Sequence, residues 1–374
     1  MSEKPIYFDY QATTPIDPRV FEAMKPYYLE HFANPHSTEH AMGQTAAAAV
    51  KVARQQVAKL INALPEEVIF TSGATESNNH VIASTLIANK TAKKTILISE
   101  IEHKSVSEPA YFYADLLGYQ VKIIPVDPTG RIELEAYKEL LDDSVLLVSI
   151  MTVNNEIGTL QDIKLLSKLA HESGALFHTD AAQATTNQFI DVEDWDVDFM
   201  SLSAHKMYGP KGIGALFIHT ALISDFPPFL HGGGQQDGLR SGTLPVPLCV
   251  GFGKAAEIMK NELRESIKKT LKLRKKLIGL LQSKSKIIIN GSLQNNNPGC
   301  LNISIEAKGA VEGIEKIKYE LAISSSSACS SNRSNKNSKN HTTKKQKEMA
   351  TLRIGLGKDS RVNELELFAE KLNY

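Results

Sequence analysis

An aspartate and a lysine lie at the ends of two neighbouring strand-like runs in the sequence. Asp180 closes Ala-Leu-Phe-His-Thr-Asp, and Lys206 lies in Ser-Leu-Ser-Ala-His-Lys-Met-Tyr-Gly-Pro-Lys-Gly. A lysine amine reacts with an aldehyde, and a carboxylate can hold the proton on a ring nitrogen so that the ring accepts electrons. The pair therefore predicts pyridoxal 5'-phosphate as the cofactor. The alternative for Lys206 is a surface lysine before a Gly-Pro turn, and the matching Asp180 argues against it.

The segment Thr-Ser-Gly-Ala-Thr-Glu-Ser from Thr71 is typical of a turn between a strand and a helix. The N–H groups and the positive dipole at a helix N-terminus bind phosphate, and Thr75 lies in this turn. Small-residue helix caps also occur without any ligand, so the turn alone is a weak indicator.

Several further polar residues follow predicted strands. His103, in Ser-Glu-Ile-Glu-His-Lys, is suited to stack on a flat cofactor or to move protons near neutral pH, and the alternative is a histidine that caps a helix or faces solvent. Thr75, Asn155, Asp180 and Lys206 share this placement. Because the carboxyl ends of parallel strands meet at one edge of a sheet, we expect these residues to form one site there.

The three cysteines differ in their surroundings. Cys249 and Cys300 lie among apolar residues, which predicts buried structural thiols. Cys329 lies in a serine-rich segment with basic residues downstream, which predicts an exposed thiol that can approach a bound substrate. His36 and His40 are four residues apart without a third ligand nearby, so no metal site is expected.

The candidate site residues are positioned by an alternation of strands and helices between residues 16 and 250. This alternation predicts an α/β fold with a mostly parallel sheet. The predicted strands are Val68–Thr71, Thr95–Ser99, Val145–Met151, Ala175–His178, Asp198–Leu202 and Gly214–His219. Helices are predicted over Thr45–Leu60 and Asp162–Ser173. Residues 16–250 are expected to form a large cofactor-binding domain.

Residues 1–15 and 251–374 are expected to form a smaller domain. It would contain a long helix over Gly253–Ser283, strands over Lys286–Asn290 and Leu301–Ile305, and a strand-like run from Arg353 to Leu356. Residues 324–347 carry almost no apolar side chains, which predicts a mobile loop that holds Cys329.

The overall charge and hydropathy exclude some classes of function. The 42 basic residues balance the 42 acidic ones, so no membrane partner is expected on electrostatic grounds, and no nucleic-acid partner is expected except through the basic stretch 333–347. No apolar run is long enough for a membrane span, and no signal peptide is recognisable. A cytoplasmic location is therefore expected.

Taken together, the motifs resemble those of cysteine desulfurases of the class V aminotransferase family. The resemblance rests on Phe8-Asp-Tyr-Gln-Ala-Thr-Thr-Pro, Asn34-Pro-His-Ser, Thr71-Ser-Gly-Ala-Thr-Glu-Ser-Asn, Glu102-His-Lys, Val153-Asn-Asn-Glu-Ile-Gly, His178-Thr-Asp-Ala-Ala-Gln, His205-Lys-Met-Tyr-Gly-Pro-Lys-Gly, Arg240-Ser-Gly-Thr and Ser327-Ala-Cys. It implies an aspartate-aminotransferase-like fold, with a large domain and a smaller α+β domain. It also implies a homodimer that converts L-cysteine to L-alanine and passes the sulfur to an acceptor protein.

The same resemblance implies a role for each matching residue. Lys206 matches the lysine that binds the cofactor, Cys329 the nucleophile that takes the sulfur, and His103 the stacking acid-base residue. The other cofactor contacts it implies are Thr75, Asn155, Asp180, Gln183, Ser203, His205 and Thr243, the last supplied by the second subunit. The substrate contacts it implies are Asn34, Asn155 and Arg353.

Two alternatives and the identity of the acceptor stay open. A selenocysteine lyase or an aminotransferase would share Lys206 and Asp180, although Cys329 argues against simple transamination. A catalytically degenerate assembly partner is the other alternative, and the retained site residues argue against it. Residues 330–347 depart from the family pattern, and the sequence does not choose among iron–sulfur cluster, tRNA thiolation and DNA phosphorothioation pathways.

Overall fold

The computed structural model describes residues 5–283, 286–306, 317, 319–327 and 349–372. Cys329 and the basic stretch 333–347 lie outside these residues. The chain divides into a larger unit, Thr14–Asn154 with Leu160–Leu263, and a smaller unit, Met1–Thr13 and Asn155–Thr159 with Arg264–Tyr374. This division differs from the predicted domain boundaries, because the C-terminal break falls after residue 263 and the short segment Asn155–Thr159 groups with the smaller unit.

A seven-stranded sheet forms the centre of the larger unit. Its strands are β2 (Val68–Thr71), β3 (Thr95–Ser99), β4 (Gln120–Ile124), β5 (Val145–Ser149), β6 (Leu176–Asp180), β7 (Phe199–Ser203) and β8 (Gly214–Ile218). Their order across the sheet is β2-β8-β7-β6-β5-β3-β4. Every residue of β3, β5, β7 and β8 is buried, as expected for sheet strands that are covered on both faces.

The directions of the strands bring several loops to the same edge. β3, β4, β5, β6 and β7 are parallel. β8 runs antiparallel to both β7 and β2, so β2 has the same direction as β7. The loops after β2, β3, β5, β6 and β7 therefore all leave the sheet at its carboxyl edge. The mostly parallel sheet predicted from the sequence is confirmed.

The larger unit has helices before its first strand and after most of its strands. These helices are α1 (Pro18–Met24), α2 (Pro26–Leu29), α3 (Ala41–Ile61), α4 (Ala74–Ala88), α5 (Lys104–Leu117), α6 (Leu134–Leu140), α7 (Ile163–Glu172), α8 (Val192–Trp195) and α9 (Thr220–Ile223). α3 buries a stripe at helical spacing that includes Ala46, Val50, Ala53 and Val57. A long helix, α10, extends from Val246 to Gln282 and begins earlier than predicted. Among the described residues no helix is long and apolar enough to cross a lipid bilayer, and the cytoplasmic location stays a prediction.

The smaller unit contains a four-stranded antiparallel sheet and a two-stranded parallel pair. The pair is β1 (Ile6–Tyr7) with β11 (Leu321–Ala322), and the sheet has the order β12-β13-β10-β9. These four strands are β9 (Ile287–Ile289), β10 (Cys300–Glu306), β12 (Ser324–Ser327) and β13 (Met349–Gly355), and helix α11 (Val362–Lys371) follows. Alternate residues of β10, Leu301, Ile303 and Ile305, enter a core that also holds Phe368.

The mobile loop was predicted to begin at residue 324, and this boundary is wrong. Ser324–Ser327 forms strand β12, which pairs antiparallel with β13, Ser324 opposite Arg353. A serine-rich strand has no hydrophobic pattern to reveal it, and it is specified here by the backbone hydrogen bonds that β13 offers. The rest of the predicted loop, from residue 328 to residue 347, lies outside the described residues.

Candidate functional site

The carboxyl edge of the large sheet gathers most of the predicted site residues. Thr75 lies in the first turn of α4 after β2, and His103 directly precedes α5 after β3. Asp180 is the last residue of β6, and Gln183 follows three positions later. Ser203 ends β7, and His205 and Lys206 form the short 3-10 turn that comes next. Since β6 and β7 are neighbours, with Asp180 opposite Ser201, the carboxylate and the lysine come from adjacent strand ends.

Asp180 is almost completely buried, with 5% of its surface exposed, and both of its carboxylate oxygens accept hydrogen bonds. Oδ1 accepts from the N–H of Ala182 at 2.9 Å, and Oδ2 accepts from Nδ2 of Asn78 at 2.8 Å. Asn78 also donates to Oγ of Ser105 at 2.9 Å, and this hydroxyl lies 2.8 Å from Nδ1 of His103. A continuous hydrogen-bonded chain therefore joins Asp180 to His103.

Glu102 connects the ends of β3 and β5 beside His103. Its Oε1 accepts hydrogen bonds from the hydroxyl of Ser99 and from the N–H of Met151, both at 2.6 Å. Its Oε2 is buried without a hydrogen-bond partner in the structure. Burial raises the pKa of Glu102 to about 8, and the negative charge of Asp180 acts in the same direction. The group is therefore mostly protonated at neutral pH.

The turn that carries Lys206 is held in place by the segment before α1. The carbonyl of His205 accepts hydrogen bonds from the backbone N–H of Thr14 at 3.0 Å and from its hydroxyl at 2.9 Å. The hydroxyl of Thr14 also accepts from the N–H of Tyr208 at 2.8 Å. Burial, together with the smaller effect of the charges of Lys206 and Lys211, lowers the pKa of His205 to about 4. His205 is therefore neutral near pH 7.

The N-terminus of α4 has the features expected of a phosphate site. The residue before the helix is Gly73, so no side chain caps the first turn, and Thr75 is exposed there. The turn is packed closely against β8, because a Cβ on Gly214 would lie 2.7 Å from the backbone of Gly73 and 2.5 Å from the carbonyl oxygen of Leu202. The turn thus offers backbone N–H donors at the start of α4 and is packed tightly against β8.

Arg240 fixes the segment that carries Thr243 to the same helix. Its Nε and Nη2 bind the two carboxylate oxygens of Glu76 at 2.8 and 3.1 Å. Burial alone would raise the pKa of Glu76, but the hydrogen bonds from Arg240 and Ser72 outweigh it and lower that pKa. Thr243 itself is exposed. A cleft of about 360 Å³ is lined by Pro35, His36 and Leu244, the neighbours of Asn34 and Thr243.

The predicted substrate contacts divide between the two units. Asn34 belongs to the larger unit, where its Oδ1 accepts from the N–H of His36 at 3.0 Å. Asn155 and Arg353 belong to the smaller unit and lie together, because Nη1 of Arg353 donates to the carbonyl of Asn155 at 3.3 Å. Arg353 also binds Glu156 at 2.5 Å and Asp9 at 2.9 Å.

The burial predicted for two of the cysteines is confirmed. Cys249 and Cys300 are buried, with 0% and 1% of their surface exposed. Burial raises the pKa of each thiol to about 12. Neither thiol is therefore a nucleophile at neutral pH, and the predicted role of Cys329 falls outside the described residues.

The comparison with known proteins decides the family. The family model for class V aminotransferases matches residues 6–368. The chain belongs to the class V aminotransferase family. Within it, the chain is 45% identical to a cysteine desulfurase IscS of Rickettsia bellii, over 87% of this chain and 80% of that protein. It is 43% identical to a cysteine desulfurase of Pongo abelii, over 88% and 72% of the two chains.

Solved structures agree with this family assignment. A NifS-like protein superposes with a TM-score of 0.88 at 34% identity, covering 99% of this chain and 98% of the other. A structure described as SspA in complex with cysteine gives a TM-score of 0.80 at 34% identity, over 94% and 99% of the two chains. The predicted fold and the predicted membership among the cysteine desulfurases, which are pyridoxal-phosphate enzymes, are confirmed.

The residues at the sheet edge fit this cofactor. A buried carboxylate suits a protonated ring nitrogen, the uncapped start of α4 suits a phosphate, and Lys206 suits an aldehyde. Asn78, Ser105 and Glu102 are the residues that the sequence did not reveal. Asn78 and Glu102 lie within the quoted motifs and Ser105 directly follows one, yet only the pairing of α4 with α5 shows that Asn78 contacts Ser105.

Proposed function

We propose that this protein converts L-cysteine to L-alanine and transfers the sulfur, as a persulfide on Cys329, to an acceptor protein. The observation that carries the proposal is the buried Asp180 on the strand next to the one that leads to Lys206. Relatives named as cysteine desulfurases support the reaction, and the related structure that holds cysteine supports the substrate.

Pyridoxal phosphate, when bound, supplies an electron sink for the charge that develops at the substrate Cα. Lys206 removes the Cα proton, and Asp180 holds the proton on the ring nitrogen. His103 returns a proton, and Gln183 donates to the phenolic oxygen. Thr75, Ser203 and His205 hold the phosphate; His205 does so as a neutral donor, since burial lowers its pKa to about 4.

The thiolate of Cys329 attacks the substrate sulfur. A sulfur–sulfur bond forms as the carbon–sulfur bond of the substrate breaks, and the carbon fragment keeps the electron pair of the broken bond. That fragment takes up two protons, one at Cβ that replaces the sulfur and balances the proton lost by the Cys329 thiol, and one at Cα that replaces the proton removed by Lys206, and it leaves as alanine. The persulfide then passes its terminal sulfur to the acceptor, which belongs to an iron–sulfur cluster, tRNA thiolation or DNA phosphorothioation pathway.

Arg353 and Asn34 bind the substrate carboxylate in this proposal, and Asn155 lies between the substrate and the cofactor. The guanidinium suits this role because its planar fork pairs with a carboxylate through two hydrogen bonds. Arg353 is bound to Asp9 and Glu156 in the structure. The substrate carboxylate therefore replaces one of these two partners, and the exposed Glu156 is the one that we expect to be released.

The active form in this proposal is a homodimer in which Thr243 contacts the cofactor of the second subunit. Exposed apolar side chains in the larger unit support the proposal that a second subunit covers part of its surface. Tyr28, Leu29, Phe32 and Met42 expose 53%, 82%, 66% and 45% of their surfaces. Four large apolar side chains in so short a stretch favour an interface with another protein chain.

The test is to incubate the purified protein with cysteine and to measure alanine and persulfide. Lys206→Ala should lose the visible absorbance of the lysine-bound cofactor and all turnover, whereas Lys211→Ala, an exposed lysine of the same motif, should keep both. Cys329→Ser should keep the absorbance and release no persulfide, and Ser330→Ala is its control. Full activity of Cys329→Ser would remove that thiol from the reaction. Selenocysteine and a 2-oxo acid test the alternative substrates.

A further inference from the structure

We infer that Asn78 and Ser105 are positioning residues that bind Asp180 and His103 into one unit and hold His103 as the Nε2–H tautomer. The inference rests on the proposed roles of Asp180 and His103 and deepens them. It stands on four hydrogen bonds, three between side chains and one from a backbone N–H, that join β6, α4 and the start of α5 within the larger unit.

The donor and the acceptor in each of these four hydrogen bonds follow from the groups at the two ends of the series, His103 and Asp180. The N–H of Ser105 donates to Nδ1 of His103 at 3.1 Å, so Nδ1 carries no proton. The hydroxyl of Ser105, 2.8 Å from the same nitrogen, must then donate as well. A neutral imidazole with an unprotonated Nδ1 carries its proton on Nε2, so this nitrogen is the one left to donate to a bound molecule.

At the other end of the hydrogen-bond series, Asp180 determines the orientation of the Asn78 amide. A carboxylate only accepts hydrogen bonds, so the Asn78 atom 2.8 Å from Oδ2 must be its Nδ2. The second hydrogen of the same amide goes to Oγ of Ser105. Asn78 is thereby held in one orientation, and its Oδ1 is buried without a hydrogen-bond partner in the structure. A leucine would have the same size, but it could donate neither hydrogen bond.

Burial strengthens the two hydrogen bonds that Asn78 donates, whereas His103 at the other end is exposed. Asn78 exposes 0%, Asp180 5% and Ser105 8% of their surfaces. In such surroundings a lost partner leaves a polar group without compensation from water. The bond to Asp180 is charge-assisted, which makes it the strongest of the four. We therefore expect Asn78 to have a larger effect than Ser105 on how tightly the cofactor is held.

The first measurement is the tautomer of His103 in the cofactor-free protein. Protein labelled with ¹⁵N-histidine is examined by solid-state NMR, and the His103→Gln variant identifies the signal. The expected spectrum has an unprotonated Nδ1 and a protonated Nε2. A protonated Nδ1 in neutral His103 would overturn the inference whatever the enzyme catalyses.

The second measurement is the dissociation constant of pyridoxal phosphate, determined by equilibrium dialysis on folded variants. Asn78→Leu should weaken binding about tenfold and Ser105→Ala about threefold. Because the two side chains act in series, the double variant should lose clearly less than the product of the two effects. Ser105→Thr, which keeps the hydroxyl, should restore binding, and Ser107→Ala on the same helix should match the wild type.

Effects that multiply in the double variant, or variants that bind like the wild type, would overturn the coupling. The visible absorbance of the bound cofactor supplies a further signal, since its pH titration should move in Asn78→Leu and not in Ser107→Ala. Neither the tautomer nor the dissociation constant depends on turnover. A wild type that binds the cofactor but makes no alanine would thus contradict the proposed reaction and leave this inference standing.

Discussion

At the scale of single residues, Glu102 shows how burial changes the chemistry of a carboxyl group. In the sequence it directly precedes His103, and nothing there distinguishes it from an ordinary acidic residue of a loop. In the structure its Oε2 has no hydrogen-bond partner and burial raises its pKa to about 8. The folded protein therefore binds a proton that the unfolded chain, with a glutamate pKa near 4.3, has already released.

This difference predicts a dependence of stability on pH. From about pH 4.5 to about pH 8 the contribution of Glu102 falls as the pH rises, because only the folded state holds the proton. Glu102→Gln keeps the shape without the titration, so its free energy of unfolding relative to the wild type should rise by up to about 1.4 kcal/mol per pH unit. Urea unfolding at several pH values measures this difference. If the difference in the free energy of unfolding between the two proteins did not change with pH, the raised pKa of Glu102 would be contradicted.

At the scale of elements, a histidine joins a helix to the sheet of the larger unit. His171, in the last turn of α7, contacts Asp198 at 2.8 Å and Asp196 at 3.1 Å. Asp198 precedes β7 and also accepts the N–H of Phe177 at 2.7 Å, in β6. The hydrogen bond to Asp198, together with the nearby negative charge, raises the pKa of His171 to about 9 against the opposing effect of burial.

The raised pKa gives this contact a pH range. Its contribution is fully present below the unfolded pKa near 6.5 and is lost as the pH rises through about 9. His171→Gln should lower the free energy of unfolding by about 1 kcal/mol near pH 6 and by less near pH 10. Urea unfolding at both pH values measures the change. Lys168→Gln, on the exposed side of the same helix, should change little at either pH, and an equal loss in both variants would argue against the ion pairs of His171.

The elements also show where sequence patterns are sufficient. β2 and β3 have the predicted bounds because both are short, continuous, apolar runs that are buried in the sheet. β4 was not predicted, since it is an edge strand in which only Ile124 of the five residues is buried. β12 consists of serines and depends on its partner strand. The chain of Asn78 and Ser105 was missed for a related reason, because hydrogen bonds between distant segments have no local pattern.

At the scale of the whole molecule, the proposed dimer makes each catalytic site depend on two subunits. A subunit with Lys206→Ala still carries a normal Thr243, and one with Thr243→Val still carries a normal Lys206. If Thr243 serves the opposite site, a mixed dimer of these subunits has one complete site and one doubly damaged site. If Thr243 serves its own subunit, both sites of the mixed dimer are damaged.

The prediction is therefore that mixing restores activity. The two variants carry different affinity tags, are co-expressed, and are purified through both tags, so that only mixed dimers remain. Their alanine production at limiting pyridoxal phosphate should approach about half of the wild-type rate, because one site of the two is intact. Each variant alone should stay far below this value. Mixed dimers no more active than the better parent would place Thr243 in its own subunit's site, and failure to recover any doubly tagged protein would contradict the dimer itself.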